Sequence, residues 1–169
     1  MGIAQHYGIP TNGLDLTSDL AVAIWFATSV YLSRNFNGEG TLSWFHPLKP
    51  GAERPVIYVI AADLNPASEV PIPTLAGLRS LRAERQSAHL HFGGWGMHTN
   101  LCATETIAAV FLSPECVAQT TQRWMDVEGL FPSEQEDRLY NDLLALRQAA
   151  STICQPWGFD RVLNYTSRM

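Results

Sequence analysis

The chain predicts an α+β fold on three observations. Apolar runs of helical character lie near both ends, β-favouring runs lie between them, and turn-rich stretches separate the two kinds. The first helical run is Leu20 to Ala27; near the other end Leu139, Leu143, Leu146 and Ala150 recur at helical spacing. With 169 residues, 46% of them hydrophobic and 16% charged, the chain has the material for one domain and a substantial core. The expectation is a single domain over residues 1–169. It would hold a mixed sheet, a central buried helix after the first loop, and an amphipathic helix close to the C-terminus.

In chain order, a polar loop from Gln5 to Thr17 opens the sequence. Thr17 or Ser18 then caps a helix that begins near Asp19 and runs through Val30, Tyr31 and Leu32 to about Arg34. Apolar residues occupy every face of that helix, which predicts burial on all sides. Asn35 to Arg54, with Gly38, Gly40, Pro47, Pro50 and Gly51, reads as a long loop holding a short strand at Thr41 to Phe45. Pro55 to Ala61 is a continuous β-favouring run, expected as an interior strand.

Two more turns fall between Asp63 and Pro73, and Thr74 to Gln86 fits a helix or irregular chain equally. His89 to Phe92 alternates as a strand does, and Gly93-Gly94-Trp95-Gly96 reads as a turn or as a lid over a ligand. Ile107 to Leu112 is a second apolar strand closed by Pro114. Ser133-Glu134-Gln135-Glu136 has capping-box spacing ahead of the last helix, which stops before Pro156.

Charge and cysteine content narrow the function classes. A formal net charge of -5 and a pI near 5.4 argue against wrapping long nucleic acids, because phosphate neutralisation needs clustered Lys and Arg. The eleven basic residues are scattered, and ten are Arg. Cys102, Cys116 and Cys154 form neither a disulfide framework nor a structural zinc pattern, so a reducing, cytoplasmic setting is expected. No stretch is long and apolar enough to cross a bilayer, and no membrane partner is expected.

The polar cluster at the start stands at the mouth of the first helix. Free backbone N–H groups and the positive helix dipole would lie beside His6, Tyr7, Asp15, Thr11 and Thr17, a setting suited to an anionic or polar ligand.

The same residues carry a resemblance. Gln5, His6, Tyr7, Gly8, Pro10, Thr11, Leu14, Asp15, Thr17, Ala23, Phe26 and Ala27 fall on a pattern that resembles the hallmark of the FRG domain family. Two later segments are similar to family segments, namely Arg82, Gln86, Ala88 and Leu90, and then Leu130-Phe131-Pro132. Departures from the pattern are Asn12, Gly13, Leu16 and Leu20, where the family has Arg, Leu, Trp and an early Pro. No Phe-Arg-Gly or Arg-Gly occurs in the chain. Since that motif normally precedes the Gln-His-Tyr segment, a chain truncated at its start or lacking that strand is expected.

The order of motifs in the family also resembles the R-S-E type of ADP-ribosyltransferase, at the level of motif analogy. That resemblance implies NAD as substrate and a small nucleotide as ligand. His6, Thr17 and Gln86 would then be the catalytic candidates, with Glu105 as the alternative for the third position. Gln5, Tyr7, Asp15 and Arg82 would bind the nucleotide, Tyr7 through its ring and Arg82 through a phosphate.

A second reading stands beside this one: a recognition module that binds a nucleotide, a nucleic-acid end or a partner protein without turnover. Asp15 and Thr17 serve equally as helix caps, and Arg82 with Gln86 as a buried polar bridge. His89, His91, His98 and Glu105 contain metal-ligand types without a helical His-Glu-x-x-His pattern, and no metal is expected. Cys102 lacks a local base for a nucleophilic role.

Overall fold

The computed structural model describes residues 6–7, 13–36, 40–49, 51, 54–61, 69–71, 79–92, 101–122, 127–153 and 164–165. Its elements run β1 (Gly13–Thr17), α1 (Leu20–Ala27), β2 (Ser29–Phe36), β3 (Gly40–Pro47), β4 (Val56–Ile60) and β5 (Glu69–Pro71). There follow α2 (Leu81–Arg85), β6 (Ala88–Phe92), α3 (Leu101–Glu105), β7 (Thr106–Phe111), α4 (Pro114–Gln122), α5 (Val127–Leu130), α6 (Arg138–Ile153) and β8 (Asn164–Tyr165). The fold is α+β. Among the described residues the strands form three small sheets ordered β1-β6-β5, β2-β3-β8 and β4-β7, of which the second is mixed because β8 joins β3 in parallel.

The opening polar segment is partly a strand. Residues 13–17 pair antiparallel with β6, Asp15 opposite Leu90 and Thr17 opposite Ala88. Gly13 is required there, since a Cβ at that position would come within 2.5 Å of Leu90 Cδ1. Ser87, at φ 45°, turns the chain from α2 into β6, and its carbonyl accepts from the Ser18 N–H at 3.1 Å.

Helix α1 differs from the expectation at both ends. Its cap is Asp19, whose carboxylate accepts from the N–H groups of Ala21 and Val22. It stops at Ala27 rather than near Arg34, because the hydroxyls of Thr28 and Ser29 turn back onto the carbonyls of Ile24 and Trp25. Released from the helix, Val30, Tyr31 and Leu32 suit a strand, and β2 pairs along its whole length with β3. Within the expected loop over 35–54, residues 40–47 form the second arm of that antiparallel pair, a longer version of the short strand expected at Thr41 to Phe45.

Nor is α1 buried on all sides. Val22 and Trp25 are buried, while Leu20 is 67% exposed and Phe26 37%. The buried side enters a core of Val22, Trp25, Leu130 and Phe131, against which Phe45 packs with its ring stacked on Phe131. A second departure concerns β4, expected as an interior strand, and its partner β7, expected as a second apolar strand. They pair with each other, and their side chains stay open, with Tyr58, Ile107 and Phe111 about two-thirds exposed.

At the far end, Ser133 and Glu136 do bond to one another, yet the turn they close precedes the helix. Asp137 caps α6 instead, accepting from the N–H groups of Leu139 and Tyr140. Of the segment left open over 74–86, residues 81–85 are helical and 74–78 lie outside the described residues, as do Gln5, the Gly93 to Gly96 turn, His98 and Cys154.

Candidate functional site

His6 and Tyr7 are buried, although no helix or strand carries them. What fixes them is a set of side-chain bonds to distant parts of the chain. Tyr7 donates its hydroxyl proton to Asp137 Oδ2 at 2.5 Å and lies 3.1 Å from Ser80 Oγ. Burial pushes the Tyr7 phenol well above its ordinary value, and the bond to the Asp137 carboxylate adds to the effect.

Arg82 lies within the same cluster, 1% exposed. Its guanidinium carbon sits 4.0 Å from the ring centre of Tyr140 and 4.7 Å from that of Tyr7, and Nη1 donates to the His6 carbonyl at 3.2 Å. Stacking of this kind suits a planar delocalised cation that is weakly hydrated. Ser80 completes the group as the cap of α2, accepting from Ala83 N–H.

A relay leads from this cluster to the surface. The Gln86 amide donates from Nε2 to the Leu130 carbonyl at 3.1 Å, which turns its oxygen toward His6 Nδ1 at 3.0 Å. An oxygen partner requires Nδ1 to carry a proton. The other ring nitrogen, Nε2, then faces Asp15 Oδ1 at 3.5 Å, with the Asp15 side chain 42% exposed and that of His6 4%. At that distance Nε2 makes no hydrogen bond, and Asp15 is a partly exposed acid beside an imidazole held in orientation through Nδ1.

Thr17 approaches the relay from β1. Its hydroxyl donates to the Gln86 carbonyl at 2.7 Å and accepts from the Asp19 N–H at 3.0 Å. With Asp19 bonded to the first amides, the tip of α1 is capped from within the chain, and the hydrogen bonds of His6 and Tyr7 run to 80, 86 and 137 instead. The picture of imidazole and phenol gathered at that helix tip is thus corrected to one of a cluster at α2 and α6, joined to β1 through Asp15.

Glu105 belongs elsewhere. Alternation along β1 and β6 places Asp15 and Thr17 on the face of Leu90 and Ala88, and His91 on the opposite face. There His91 Nε2 meets Glu105 Oε2 at 2.5 Å, with both side chains buried. Gln86, and not Glu105, is the residue joined to His6. His89 turns to Ser18 Oγ at 3.1 Å. Among the described residues no group of three His, Cys, Asp or Glu could hold a metal ion. Burial, reinforced by the charge of Glu105, pushes the Cys102 thiol up, which is the wrong direction for a nucleophile.

The three segments picked out by resemblance therefore meet in space: His6 and Tyr7, Arg82 and Gln86, and Leu130 with Phe131. Comparison with known proteins bears on the first of them. Residues 1–35 match the FRG domain. No curated protein and no solved structure matches the chain. The FRG match holds His6, Tyr7, Asp15 and Thr17, while every side-chain partner of His6 and Tyr7 named above other than Asp15 lies beyond it.

Three of those partners carried no signal in the sequence reading. Ser80 lies between Arg79 and Leu81-Arg82, Asp137 lies within the polar run Ser133 to Arg138, and Tyr140 reads as an ordinary helix residue. A capping rule applied one residue before Leu81 and Arg138 finds the first two as caps, but not as partners of Tyr7.

Proposed function

We propose that the chain binds a nucleotide of the NAD type at Asp15 and acts on it by ADP-ribosyl chemistry. The observation that carries this reading is the Asp15 carboxylate, open on one side and backed on the other by an imidazole that Gln86 and Leu130 hold in one orientation. A positioned carboxylate suits the hydroxyls of a ribose, and it suits the positive charge that develops on the ring as the glycosidic bond breaks. In that step the bond between ribose C1′ and nicotinamide breaks, its electron pair leaves with nicotinamide, and water or a target nucleophile bonds to C1′.

A second reading has its own support. Tyr7, Arg82, Gln86 and Thr17 all bond or stack within the protein, which favours a recognition module that presents Asp15 without turning the ligand over. Calorimetric titration with NAD and chromatography of released nicotinamide separate the two. Binding that weakens at least about tenfold in Asp15→Asn, together with nicotinamide release lost in the same variant, supports the enzyme. Binding without release supports the module. Absence of NAD binding by the wild-type chain overturns both in their nucleotide form.

A further inference from the structure

We propose that Asp137 is a positioning residue through which helix α6 sets the orientation of His6. The inference deepens the reading of Asp15 as a binding carboxylate and rests on it for its functional meaning.

Asp137 uses its two oxygens for different tasks. Oδ1 accepts from the N–H groups of Leu139 and Tyr140 and so begins α6. Oδ2 accepts the proton of Tyr7, the immediate chain neighbour of His6. One turn into α6, Tyr140 stacks on the Tyr7 ring at 5.9 Å and supports the Arg82 guanidinium, which in turn binds the His6 carbonyl. Leu139, Leu143 and Leu144 pack against the same pair of tyrosines.

The dipeptide His6-Tyr7 is thus clamped between α2 and the first turn of α6. Docking of α6 and placement of the imidazole are one event. If the start of α6 shifts, Tyr7 loses its acceptor and stacking partner, and His6 loses the constraint that keeps Nδ1 on Gln86.

The test reads the His6 ring directly by long-range 1H–15N spectroscopy and requires no ligand. In the wild type a proton stays on Nδ1, against the preference of free histidine for Nε2. Asp137→Ala and Tyr7→Phe are expected to lose that signature, and Asp137→Asn, which keeps a capping oxygen and a polar partner for Tyr7, to restore it. Val117→Ala removes buried volume from α4 and serves as a control for general destabilisation, with the signature expected to persist. Retention of the Nδ1 proton in Tyr7→Phe, or its loss in Val117→Ala to the same extent, overturns the proposal. Because the readout is free of nucleotide, a failure of NAD binding removes the functional meaning but leaves the positioning role to be judged on this result.

Discussion

The cluster around Tyr7 and the strand pair β4–β7 invert the usual relation between residue type and place. Around Tyr7, an arginine, an aspartate, a serine and a histidine are all buried, at 9% exposure or less. In β4 and β7, valine, isoleucine, tyrosine and phenylalanine line two adjacent strands, and five of them stand between 38% and 65% exposed. Polar groups can be buried when each finds a partner with good geometry. Apolar groups stay open where packing leaves them uncovered, however β-favouring their sequence, as at Tyr58, Ile107 and Phe111. Partner supply, more than hydropathy, separates the two regions.

The widest contrast comes from one truncation in each. Arg82→Ala removes a buried cation from between two rings, leaves the His6 carbonyl without that donor, and opens a void; a loss of about 3 kcal/mol or more is expected. Phe111→Ala removes a larger apolar side chain that is 65% exposed, and a change within about 0.5 kcal/mol is expected. Urea denaturation of both variants checks the comparison, and similar losses would refute it.

A smaller effect is expected where the polar cluster meets its sheet. At Gly13 a Cβ would lie 2.5 Å from Leu90 Cδ1 and 2.9 Å from Leu90 Cγ, and Leu90 is fully buried. Gly13→Ala should therefore cost roughly 1–3 kcal/mol by overpacking, in spite of the higher β-propensity of alanine. Leu90→Ala empties a fully buried site and is destabilising by itself, but it should cost less in the Gly13→Ala background than in the wild type, because there it also removes the clashing atoms. A thermal melt of the single and double variants shows whether the coupling is present.

Much of this was readable in the residues before any coordinates. A strand at His89 to Phe92 follows from alternation, one at Ile107 to Leu112 from its apolar run and the last helix from helical spacing, and His6, Tyr7, Arg82 and Gln86 stand among the candidate site residues. What hid the rest was context. Leu20 to Leu32 is apolar but for Thr28 and Ser29, and nothing in its periodicity shows that the hydroxyls of these two residues turn back onto the helix where it ends. Val56–Ile60 has the composition of an interior strand, and burial depends on a neighbouring layer that composition does not encode. Asp137 reaches Tyr7 across 130 residues of chain, a contact outside any local rule. Local rules recover periods; they put both helix caps a few residues early, at Thr17 or Ser18 and at Ser133, and do not show that the cap at Asp137 also holds a tyrosine.

The finest test of the contrast uses pH. Tyr7 is held neutral in the folded chain by burial and by Asp137, so its phenol ionises well above its ordinary value of about 10. A raised value in the folded state means that the folded form retains a proton that the unfolded form gives up. Its contribution to stability is present in full below about pH 10 and declines as pH rises beyond that. Tyr7→Phe removes the titration along with the bond to Asp137. Near neutrality the variant should be less stable by about 1–3 kcal/mol, since a buried carboxylate oxygen loses its donor. Above pH 10 the gap between wild type and variant should close, because only the wild type carries the added alkaline sensitivity of this residue. Denaturant melts from pH 7 to 11 on the wild type and Tyr7→Phe decide it, and a gap that stays constant with pH would mean that Tyr7 is not the buried, carboxylate-bonded phenol described for this cluster.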